Sequence, residues 1–183
     1  MSRIKLVETN EAAPEIASLY EAVKQKLGLV PNMVKALGNS KPALEGYLGL
    51  SVAVSSGTFT PRLREKIALQ NAEANSCDYC LRAHTAIGGM LKLSDGEILD
   101  ARRGTASDNK EQAILDLAKL LLETKGAVSD QDLSAIQAAG VSDTEATEVV
   151  LNVSLNILTN YFNRLVQTDA EFPAVSELNC PAA

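Results

Sequence analysis

Apolar residues recur three and four positions apart along most of the chain, the spacing of one buried helical face. A first helix is expected from Glu11 to Lys26, with Ile16, Leu19, Tyr20, Val23 and Leu27 at helical spacing and Gly28 as a stop. Pro31 opens a short second helix ending near Gly38. A third begins at Ser40 or Lys41, before Pro42, and runs to about Val54, where Ser55, Ser56 and Gly57 break it. Thr60 is a cap followed by Pro61 in the first turn of a fourth helix, which extends to about Ala74. Asn75 and Ser76 make a corner, and a fifth helix capped by Ser76 ends near Gly88 and Gly89. Ser94 and Glu97 form a capping box for a short sixth helix. Asp108 to Glu111 starts a seventh, with Ile114, Leu117, Leu121 and Leu122 inward. Ser129 opens an eighth. A second capping box, Ser142 with Glu145, opens a long last helix to about Thr168.

Strand signals are nearly absent, and Asp95-Gly96 falls in a helical first turn rather than in a hairpin. The expected fold is therefore all-α: a compact array of about eight or nine helices. It forms a single domain over 1–168, followed by an irregular tail over 169–183. No interdomain linker or internal repeat is visible. The last helix carries Asn152, Asn156, Asn160 and Asn163 on one face, amid valine, leucine and isoleucine. A helix this apolar is largely buried, and buried amides need partners. The stripe either meets polar groups of another helix or subunit, or borders a wet pocket.

Composition narrows the function. With 183 residues and 46% hydrophobic content, the chain has material for a real core. Its formal charge of -6, with no concentrated basic patch, argues against nucleic acid as a partner. The N-terminus lacks the apolar stretch of a secretory signal, and no run of about 18 apolar residues suggests a membrane span. The expected location is the cytoplasm. Three cysteines are too few for a disulfide scaffold. No haem, flavin or nicotinamide motif is apparent, so no cofactor is expected.

Two of those cysteines, Cys77 and Cys80, stand beside the chain's only histidine, His84, in "EANSCDYCLRAH". With Ser76 as cap, Cys77 falls in the first helical turn. At about 100° per residue, Cys80 lies about 60° from Cys77, and His84 comes within about 40° of Cys80. The three share a face. The thiolate is the reactive form of cysteine, and a helix start stabilises negative charge. His84 is placed to accept the Cys80 proton, and Cys77 to close a disulfide. A redox pair is the leading reading. A zinc site competes poorly, because three ligands along one short segment cannot surround a tetrahedral ion and no fourth is evident. Small buried cysteines with a core histidine are the third reading.

A histidine base benefits from a carboxylate that orients it. Two candidates lie on the fourth helix. If the chain reverses at Asn75-Ser76, Glu65 is about 15 Å up one helix and His84 about 12 Å up the other, nearly level. Glu73 lies about 3 Å from the corner, level with Cys77. A solvated charge is the alternative for both, more so for Glu73.

The segment "REKIALQNAEANSCDYCLRAH" resembles the alkylhydroperoxidase D-like and carboxymuconolactone decarboxylase-like superfamily. "GLVPNMVKAL" and "NYFNRLVQTDAEFP" are similar to its peroxidase-related subgroup. The resemblance implies an all-helical protein that forms homo-oligomers, often trimers or hexamers and sometimes dimers. It implies hydroperoxide reduction, or electron exchange with an external dithiol or lipoyl-type donor. Carried over, Cys80 is the attacking thiol and Cys77 the resolving one. Glu65 acts through His84, with a water between them. Two positions depart from the pattern. Tyr79 stands where some relatives place a second histidine. Arg164 replaces a histidine after Asn163, with a possible effect on substrate charge preference. The decarboxylase branch generally lacks the cysteine pair; a lactone enzyme and a redox-sensing interaction module stay as rivals. Cys180 is expected to be a bystander on the tail.

Overall fold

The structure is a computed structural model that describes residues 1–178; Cys180 lies outside them. The described residues form nine helices and no strand: α1 (Pro14–Leu27), α2 (Asn32–Leu37), α3 (Lys41–Ser55), α4 (Pro61–Ala74), α5 (Asp78–Met90), α6 (Asp95–Arg103), α7 (Asn109–Thr124), α8 (Asp130–Ala138) and α9 (Asp143–Val166). The caps follow from the sequence. Thr60 accepts from the Leu63 amide, and both capping boxes, Ser94 with Glu97 and Ser142 with Glu145, are fully formed. The first helix starts at Pro14 rather than Glu11. Proline disfavours helical backbone in the residue before it and has no N–H to lose at a helix start. The last helix stops at Val166, two residues short of Thr168, because Gln167 turns left-handed with φ 51°.

Helix α4 runs through the middle, packed by α5, α6, α7 and α9. On one side Leu63 and Ile67 meet Ile114, Leu115, Leu117, Val149 and Val153 of α7 and α9. On another, Ala72 joins Tyr20, Val34, Leu44 and the cysteine segment. Such enclosure leaves α4 polar side chains buried, and the cost of burial is offset only by partners. Lys66 pairs with Glu111 at 2.6 Å, and Gln70 donates to the Leu115 carbonyl at 3.0 Å. Glu73, expected to be solvated, instead holds the Nε of Arg102 at 2.8 Å.

Residues 169–178 contain no helix, yet they are tied to the helices. Glu171 accepts from the Asn32 amide at 2.9 Å and from the Tyr79 hydroxyl at 3.0 Å. Phe172 sets its ring edge-on to Tyr79, centroids 5.9 Å apart. The Ser176 carbonyl accepts from Arg102 at 2.9 Å. The segment is thus a strap across the start of α5. Arg102→Ala removes both the strap bond and the partner of Glu73. The expected loss is roughly 1.5–3 kcal/mol in urea unfolding, with faster proteolytic cleavage within 169–178.

Candidate active site

The corner between α4 and α5 sets the thiols in place. Ser76 adopts φ 51° and turns the chain, while the amides of Ser76 and Cys77 return to the carbonyls of Glu73 and Ala72. Ser76 is therefore not the cap. Cys77 is: its Sγ accepts from the Cys80 amide at 3.3 Å. A left-handed residue cannot hold the extended conformation a cap requires, so the cap moves one residue on. The two sulfurs are joined in a disulfide. Both cysteines are buried, but Cys80 lines a cavity of about 570 Å³, whereas Cys77 does not.

His84 lines the same cavity one turn beyond Cys80, near enough for side chains four apart to meet. Glu65 reaches it across the helix pair, with Oε1 2.6 Å from His84 Nδ1. The contact is direct, with no room for the water expected between them. The carboxylate accepts the hydrogen, so the proton sits on Nδ1 and Nε2 is left as the free basic nitrogen. Glu65 is only 8% exposed, so the reading of it as a solvated charge fails. Burial alone would push His84 down. The charge of Glu65 and its hydrogen bond outweigh burial and leave the imidazole above its ordinary 6.5. Because the folded pKa is raised, this pair's stabilisation is complete below the unfolded value and is lost as pH rises through the folded one.

A further residue reaches the sulfur. Asn163 of α9 donates from Nδ2 to Cys80 Sγ at 3.4 Å, and its Oδ1 accepts the Thr168 hydroxyl at 2.8 Å. Thr168 thereby fixes which end of the amide faces the thiol. The asparagine stripe was the visible signal for this contact, but its target on another helix was not. The stripe divides. Asn160 turns to Asn75 at 2.9 Å, while Asn152, Asn156 and Asn163 border the cavity. Tyr79 does not replace a second base. Its hydroxyl holds the strap, and burial, reinforced by the charge of Glu171, pushes its pKa up. Arg164 is exposed and off the cavity wall; Arg64 borders the cavity instead. Arg164 therefore has no position from which to set substrate charge preference within this cavity. Among the described residues, no three His, Cys, Asp or Glu side chains gather to hold a metal ion, and no helix is long and apolar enough to cross a membrane.

The histidine is unique, so its imidazole signal in a proton NMR titration is assigned without further labelling. Its midpoint is expected above 6.5, and Glu65→Gln is expected to move it downward, because burial then acts without the carboxylate's charge. An unchanged midpoint in the folded variant contradicts the coupling.

Residues 41–123, just under half the chain, match the carboxymuconolactone decarboxylase family; this stretch contains Glu65, Cys77, Cys80 and His84. No curated protein matches the chain. Among solved structures, the fold is similar to an alkylhydroperoxidase AhpD core, an uncharacterized peroxidase-related protein from Ralstonia eutropha JMP134. The TM-score is 0.80 at 22% identity, covering 93% of this chain and 92% of that one. A peroxidase-related protein from Silicibacter sp. TM1040 gives 0.79 at 21% identity, covering 94% and 97%. The debrominase Bmp8 gives 0.77 at 18% identity, covering 93% and 92%. The family match over 41–123 and the shared fold thus make the chain similar to the alkylhydroperoxidase D-like and carboxymuconolactone decarboxylase-like proteins.

Proposed function

We propose that the protein is a thiol-dependent oxidoreductase that reduces organic hydroperoxides at Cys80. The observation that carries this reading is the cavity: a largely apolar chamber with Cys80 and the Glu65–His84 pair on its wall, and Cys77 bonded behind. Apolar walls suit an organic peroxide better than hydrogen peroxide.

In the reduced protein, His84 Nε2 takes the Cys80 proton. Asn163 donates to the sulfur, which favours the thiolate, as does the helix start. The thiolate attacks the peroxide's terminal oxygen and the O–O bond breaks. The departing alkoxide takes the proton from His84 and leaves as the alcohol, with Cys80 oxidised to a sulfenic acid. The Cys77 thiolate, held at the cap by the Cys80 amide, displaces hydroxide, which is released as water with one proton. The disulfide results. An external dithiol or lipoyl-type donor then reduces it, entering at the cavity-lining Cys80 sulfur, with Cys77 leaving as the capped thiolate. Glu65 holds His84 in the tautomer that each step needs.

The likeness to a debrominase favours a second reading, in which the same thiols act on a halogenated aromatic molecule. Bromide release in place of alcohol formation distinguishes it. A lactone enzyme would keep its activity when both thiols are replaced by serine.

The test is thiol titration of reduced Cys180→Ser protein after one equivalent of cumene hydroperoxide. Both remaining thiols are expected to be lost, with mass spectrometry showing a Cys77–Cys80 disulfide. His84→Ala is expected to slow the loss about a hundredfold or more. Asn163→Leu is expected to slow alkylation of Cys80 by iodoacetamide at pH 7 about tenfold. Thiols that persist in the folded protein refute the peroxidase reading.

A further inference from the structure

The α9 wall of the cavity has a chemical bias. Asn152 donates from Nδ2 to the Glu148 carbonyl at 2.7 Å, and Asn156 to the Asn152 carbonyl at 2.9 Å. A carbonyl only accepts, so these bonds settle which end of each amide is nitrogen. Thr159 likewise turns its single hydroxyl hydrogen back to the carbonyls of Leu155 and Asn156. All three residues are buried and line the cavity. Neither asparagine Oδ1 has a partner among the described residues, and neither is sealed from solvent. Their open side is therefore the cavity.

Each Nδ2 keeps one more hydrogen. The two Oδ1 atoms and the Thr159 oxygen still present more lone pairs than the wall has hydrogens. An apolar ligand seated here without donors strips water from these oxygens and returns nothing, a loss of about tenfold or more in affinity. A site built of hydrogen-bonding groups rejects the analogue that leaves them unpaired far more strongly than an apolar pocket rejects a misfit. Position along the helix adds a distance. Thr159 and Asn156 lie about 6 and 10 Å along the axis from Asn163, which sits at the Cys80 sulfur.

We propose that the cavity selects a neutral, largely apolar molecule bearing an O–H or N–H group roughly 6–10 Å from the atom that Cys80 attacks. This deepens the reading of the cavity as the substrate site and rests on it. The charged groups nearby do not point to an anion: Arg64 is engaged by the Phe59 carbonyl, and Lys26 is exposed.

The experiment compares 2-naphthol, 2-methoxynaphthalene and 2-naphthoate by their own fluorescence. The chain has no tryptophan to interfere. Burial of the extra methyl would by itself favour the ether by about fourfold. The expected result is the reverse: 2-naphthol binds at least about fivefold more tightly than the ether and slows iodoacetamide alkylation of Cys80. Asn156→Ala, confirmed folded by circular dichroism, is expected to narrow that ratio. Equal or tighter binding of the ether overturns the proposal, as does tighter binding of the naphthoate or no binding by any probe. No peroxide enters the measurement, so a failed thiol titration and a failed naphthol preference are separate outcomes.

Discussion

A buried carboxylate has to be paired, and in this protein the pairing of Glu65 with His84 organises the site. Glu65 is on α4, enclosed by four other helices, where an unpartnered charge would cost several kcal/mol (~3–5 kcal/mol when one partner of a buried pair is removed). Its partner comes from the antiparallel neighbour α5, so the bond aligns the two helices along their length. The same bond holds the imidazole by Nδ1 and leaves Nε2 beside the cavity that Cys80 also lines. Helix alignment and the orientation of the imidazole are thus one interaction seen from two sides.

The thiols depend on that alignment and on the backbone at the corner. Ser76 takes the left-handed turn, Cys77 becomes the cap, and Cys80, in the first turn of the helix, sets its amide on the Cys77 sulfur. Each sulfur therefore has a hydrogen-bond donor from a different source, Cys77 from the backbone and Cys80 from Asn163. This asymmetry fits a pair in which one sulfur reacts and the other leaves. The strap completes the enclosure from the far side. Tyr79, lying between the cysteines in sequence, joins it through Glu171 and Phe172, so the start of α5 is held on both flanks.

Much of the fold was legible because helix starts are local chemistry. Ser, Thr or Asp before a helix, with Glu three residues later, satisfies its own orphan amides without help from distant residues. The errors were local too. Pro14 delayed α1, and Ser76 turned where it was expected to cap. The site was legible in part. Cys77, Cys80 and His84 are close in sequence, and one helical period places them together. Glu65 was reached through an assumed reversal of the chain. Asn163 was visible as a member of a stripe but not as a donor to sulfur, since 83 residues separate it from Cys80.

The sequence by itself determined the all-helical character, the caps, the acidic surface charge and the clustering of two thiols with one histidine. These follow from spacing and residue type within a few turns of chain. Only the tertiary structure decided which buried polar groups meet. It gave Glu65 to His84 and Glu73 to Arg102, split the α9 amides between α4 and the cavity, and put Arg164 outside and Arg64 at the cavity wall. Pattern tells a helix which face to bury. It does not tell a buried oxygen which donor, from which helix, will arrive, because that depends on how every helix is rotated and stacked at once.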